Sequence, residues 1–196
     1  MSAPVMPHMS EEHISAKTNY DIFMKNIQKT RDWLHMALKE FDAAFADFMD
    51  ERYSESIQHA QQCAERVGKS ILSFLGFAPE KTHHPSDYIV EEILQHPEVV
   101  KKVGLSEDEV KYLVDMVTFS SPLERQGTMP RYGWETKERI ITPDEIYKKE
   151  IATVMMKNAF ELLIKSCEFY RLREMDGILA SKIQEIEDYV EKHEID

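Results

Sequence analysis

The chain has 196 residues, 42% of them hydrophobic, with 8 prolines and 6 glycines; that suffices for one domain with a real core and is too glycine-poor for a fold of many hairpins. Its 24 Lys+Arg against 36 Asp+Glu give a formal charge of −12, which works against undirected binding to nucleic acid or an anionic membrane. No apolar run approaches the roughly 18 residues of a membrane span, and Cys63 and Cys167 suggest neither a disulfide framework nor a zinc site, so a cytoplasmic protein is expected.

The opening segment MSAPVMPHMSEEHISAK lacks an apolar signal core and reads as a flexible leader over residues 1–18. Between Pro7 and Pro79 there is no proline, which leaves room for two long helices. Leu34, Ala37, Leu38, Phe41, Phe45 and Phe48 recur at three- and four-residue steps, so one helix is expected from about Asn19 to Met49. Asp50, Glu51 and Arg52 mark a corner. Ile57, Ala60, Ala64, Val67, Ile71 and Phe74 then form a second stripe that ends at Gly76, a suitable C-terminal cap.

Pro79, Pro85 and Pro97 permit only short helical pieces, with Ser86 expected to cap one of them. Ser106-Glu107-Asp108-Glu109 is a capping box that opens a third helix running to about Phe119. From Ser120 to Ile141 no period is sustained, and a long connection is expected. Thr142-Pro143-Asp144-Glu145 restarts a helix with N-cap, Pro at the first position and acids in the first turn; it is expected to continue to about Met175. After Gly177, Ile178, Leu179, Ile183, Ile186 and Val190 mark a last amphipathic helix. The chain therefore reads as all-α, an antiparallel up-and-down bundle of four to five long helices over residues 19–175 with an additional C-terminal helix over 176–196. No convincing strand is found.

Chemistry is sparse. The one Glu-x-x-His spacing, Glu80 to His83, lies in a proline-flanked loop, so no metal and no cofactor are expected. Phosphate-binding glycine loops are absent, and both cysteines sit at apolar helical positions where a small buried hydrophobe is the ordinary role. Residues 120–175 hold ten bases against nine acids, leaving −13 on the rest of the chain. That stretch is the surface least repulsive to an anion, and Arg131, Tyr132 and Trp134 add planar groups able to stack on a base.

The second helix carries Tyr53, then His59-Ala60-Gln61-Gln62-Cys63-Ala64-Glu65-Arg66, Lys69, Leu72 and Gly76, followed by Lys81-Thr82-His83; Arg131-Tyr132 precedes a helix containing Tyr147. In this order the residues resemble the HEPN family, the higher eukaryotes and prokaryotes nucleotide-binding domain. The resemblance implies an intracellular helical bundle, a homodimer, and an association with nucleotide or RNA biology. Many members pair with a nucleotidyltransferase partner, while others are RNA-cleaving toxins.

The RNA-cleaving branch carries an arginine followed at short range by a histidine at the start of the last core helix. There the arginine would stabilise phosphorane charge and the histidine would move a proton. No histidine follows Arg131 within that reach, while Arg52 and His59 have six residues between them but belong to the second helix. The expectation is thus a non-catalytic homodimer binding a nucleotide such as ATP or GTP, or a nucleotidyltransferase partner, with no membrane contact. Lys69, His83, Arg131 and Tyr132 are the candidate binding residues, a cation, a histidine and an arginine–aromatic pair being what a phosphate and a base require. A ligand-free interaction module and a metal-independent RNase are the alternatives, and RNA is the weakest of the expected ligands.

Overall fold

A computed structural model describes residues 11–78, 82–173 and 177–193. Helix α1 (Glu11–Met49) begins earlier than the sequence suggests, so residues 11–18 of the expected leader are helical; residues 1–10 lie outside the described residues. The corner to α2 (Tyr53–Phe74) is made by Glu51 at φ 60. Thr30 donates to the Ser70 carbonyl and Arg66 to Glu40, so α2 runs back antiparallel along α1. Of the two apolar stripes, Leu34, Ala37, Leu38, Phe41, Ile57, Ala60, Ala64, Val67 and Ile71 are buried, and Phe45, Phe48 and Phe74 are partly buried against the core.

The proline-rich stretch forms α3 (Pro85–Ile89), a wide π turn over Val90–Leu94, and α4 (Pro97–Lys102). His84, not Ser86, is the N-cap of α3, with Pro85 at its first position; Ser86 is turned inward for another use. The Ser106 capping box forms as expected and starts α5 (Glu107–Glu124), which continues past Phe119 to include Pro122. Pro122 has no amide to give to the Thr118 carbonyl, so the helix continues there with one bond fewer. Beyond α5 come α6 (Met129–Tyr132), a minimal hairpin of β1 (Trp134–Glu135) and β2 (Ile140–Ile141), and α7 (Pro143–Ile146). The hairpin pairs Trp134 with Ile141 and Glu135 with Ile140. It was not expected, because strands of two residues carry no period.

The helix expected from Thr142 to Met175 is broken at Tyr147, which adopts an extended conformation, before α8 (Lys149–Arg171). Tyr147 leaves the helix to be buried with Ile57 and Ala152, and its hydroxyl donates to Gln126 at 3.0 Å. Ser70 and Tyr170 hydroxyls meet at 2.7 Å, which sets α8 parallel to α2. Contacts of Arg173 with Glu109 and of Tyr147 with Gln126 set it antiparallel to α5. Helix α9 (Ile178–Lys192) returns along α1, with Lys182 on His35 and Tyr189 on Asp42. The five long helices α1, α2, α5, α8 and α9 therefore form the expected up-and-down bundle. None of the described helices is long and apolar enough to cross a membrane.

Candidate functional site

Three segments meet on the exposed side of α2. The helix itself contributes Gln61, Gln62, Glu65 and Arg66, which a 3.6-residue period brings to one edge. His83 and His84 arrive from the turn before α3, Gly127 and Thr128 from the turn between α5 and α6, and Arg131 from α6 itself. Together they line a cleft of about 520 Å³, within the roughly 300–1,000 Å³ of small-molecule sites.

Local sequence explains this convergence. A Cβ on Gly68 would lie 2.5 Å from the Pro85 Cβ, so only glycine lets the start of α3 press against α2 and carry the histidines to the cleft. On the far wall the chain turns at Gly127, at φ +57, before Arg131 ends the lining. Beneath the cleft, Glu124 is almost completely buried at 1% exposure. It accepts from the Ser86 amide at 3.2 Å and from the Ser86 hydroxyl, which fastens α3 to α5.

The charges lining the cleft differ in how they are engaged. Arg66 gives Nε and Nη2 to Glu40 Oε1, at 3.2 and 2.7 Å. Glu65 takes the Lys69 ammonium at 2.6 Å and has His83 Nδ1 at 3.4 Å. Arg131 is exposed and, among the described residues, makes no ion pair. Its guanidinium is free to form the bidentate contact that phosphate invites.

Of the four residues expected to bind, His83 and Arg131 line this cleft. Lys69 does not: it is buried behind Glu65, with its ammonium 5.2 Å from the Trp33 ring centroid. Nor does Tyr132, which is 65% exposed just beyond the lining. The cleft is also lined by His84, the neighbour of His83, and by Gln61, Gln62, Glu65, Arg66 and Thr128, which are not among the residues expected to bind. The one signal that could have found them is the polar edge of α2 itself.

Arg52 and His59 lie elsewhere, at the α1–α2 corner. Arg52 Nη2 is 2.6 Å from Asp47 and 3.2 Å from Asp50. His59 Nδ1 is 2.8 Å from Glu40, and its Nε2 is 3.7 Å from Asp47. These side chains are therefore occupied by carboxylates. Neither thiol is poised for chemistry: burial pushes Cys63 well above the usual thiol range and Cys167 up to about 12. No metal-binding cluster is found among the described residues.

The sequence model of the HEPN domain matches residues 30–170. The chain belongs to the HEPN domain family. A relative is the protein named "Putative toxin MJ1304" of Methanocaldococcus jannaschii, 23% identical over 138 residues that span 70% of this chain and 86% of the relative. No solved structure matches. The HEPN match takes in the whole cleft, from Gln61 to Arg131, and leaves out α9.

Proposed function

We propose that this HEPN domain is a non-catalytic nucleotide-binding module that works as a homodimer in the cytoplasm, with the phosphate held by Arg131, His83 and His84. The observation that supports this reading most is the arrival of His83 and Arg131, from separate segments, in one cleft on α2. Arg131 brings an uncompensated guanidinium, and the Gln61 and Gln62 amides offer the donor and acceptor pairs that a base edge requires. Lys69 supports the site through Glu65 and not by direct contact. Tyr132 stands outside the lining, as a stacking surface for a base that extends past Arg131.

Calorimetric titration with ATP, GTP and AMP tests the proposal. One nucleotide should bind saturably, and Arg131→Ala should weaken it at least tenfold, equivalent to about 1.4 kcal/mol. Failure of all three to bind a folded protein at about 1 mM, some 4 kcal/mol of affinity, would overturn it. A docking role for a nucleotidyltransferase-type partner is the second reading, favoured by the exposed Trp134 and Ile140 of the hairpin and by Ile151 and Val154 on the outer side of α8. A partner complex that persists after Arg131→Ala but is lost on Trp134→Ala would replace the first reading with this one. The engaged state of Arg52 and His59 counts against RNA cleavage by that pair.

A further inference from the structure

Glu124 ends α5, and the cleft wall that carries Gly127, Thr128 and Arg131 begins at once after it. Its carboxylate receives the backbone amide and the hydroxyl of Ser86, which follows His83-His84-Pro85 at the start of α3. Arg125 adds a second tie, with Nη2 3.2 Å from Asp87. The last turn of α5 thus grips the first turn of α3, and each wall of the cleft departs from one side of that grip.

The carboxyl is an unusual choice for a buried clamp. A serine or an asparagine could accept the same hydrogen bonds without charge, whereas a buried carboxylate is costly to desolvate. Its charged surroundings are also unfavourable: Asp87 on α3 and Glu65 on α2 are both acids acting on it, and the neighbouring Arg125 is directed to Asp87. Burial is the main cause that raises its pKa to about 7, with the two Ser86 hydrogen bonds pulling in the opposite direction.

We propose that Glu124 is a positioning residue whose charge state sets how firmly His83 and His84 are presented opposite Arg131, making the cleft responsive to pH near neutrality. Protonated, it stays buried as a neutral carboxyl hydrogen-bonded to Ser86 and holds the histidine wall. Ionised, its carboxylate is opposed by burial and by Asp87 and Glu65, so opening to water is favoured and the wall loosens. The ligand half of this inference rests on the reading of the cleft as a nucleotide site; the clamp itself does not.

The test uses the full chain, labelled with 15N, and AMP as the probe. The Ser86 amide resonance should titrate with a midpoint near neutrality, and the titration should vanish in Glu124→Gln, which keeps the side chain's size. Ser86→Ala, which deletes one bond of the clamp, should lower AMP affinity and loosen the residue 86 amide, seen as faster hydrogen exchange. The affinity of Glu124→Gln relative to the unaltered protein should rise several-fold between about pH 6 and about pH 8, as the native clamp ionises and loosens. A Ser86 amide that does not titrate, or that titrates equally in Glu124→Gln, overturns the clamp. A titrating amide with a pH-independent affinity ratio overturns its control of the site. A titrating amide in a protein that binds none of AMP, ATP and GTP sustains the clamp and removes the nucleotide reading.

Discussion

Two groups of cationic side chains sit along α2, and they differ in what lies opposite. At the α1–α2 corner, Arg52 and His59 face Asp47, Asp50 and Glu40 of α1 and its end, and their charge is spent within the fold. In the cleft, Arg131 faces His83 and His84 with no acid of its own. The residue types are nearly the same. What separates a structural cluster from a candidate site is the countercharge supplied by the neighbouring element, which spacing along one helix does not reveal.

The contrast can be broken from either side. Gly68→Ala should have the largest effect, since its Cβ would collide with Pro85 at 2.5 Å. Displacing α3 should cost about 1–3 kcal/mol, read as a lower denaturation midpoint, and should weaken nucleotide binding together with stability. Glu40→Ala leaves Arg66 and His59 without their shared acid and should cost about 1–3 kcal/mol, visible in thermal melts, while the freed Arg66, which lines the cleft, should tighten anion binding there.

Glu124 sharpens the comparison through pH. Its folded pKa of about 7 exceeds the ordinary glutamate value of about 4.5, so the folded chain holds a proton that the unfolded chain releases. This contribution to stability is therefore fully present below about pH 4.5 and is lost as pH rises through about 7. Glu124→Gln should flatten that decline and melt higher than the unaltered protein above neutrality, by at most about 3 kcal/mol at roughly 1.4 kcal/mol per pKa unit. Arg52→Ala should do least: with a side chain 55% exposed, its ion pairs are screened and should contribute under about 1 kcal/mol by denaturant unfolding.

The long helices were legible because their signals are local. The stripes from Leu34 to Phe48 and from Ile57 to Phe74, the absence of proline, and the boxes at Ser106 and Thr142 each depend on residues a few positions apart. Tyr147 was misread for the opposite reason: its box and flanking period favour a continuous helix, but burial against Ile57 takes it out of helical geometry. In the site, residue chemistry found His83 and Arg131 without showing what stands beside them. It misplaced Lys69, because periodicity does not tell whether a lysine next to the buried stripe reaches solvent or is folded under Glu65. The Ser86–Glu124 contact joins positions 38 residues apart, and neither residue carries any local mark of the other.

The parallel run of α8 along α2 bears on the order in which the chain organises. The antiparallel α1–α2 pair can close through a short corner, as a local hairpin, with little loop entropy to overcome. The Ser70–Tyr170 contact, by contrast, spans 100 residues and must wait until α3 to α7 have been passed over. In a nucleation picture, removing the Tyr170 hydroxyl would then speed unfolding far more than it slows folding. The buried polar bond between α2 and α8 acts as a late latch on a frame that assembles from its N-terminal half.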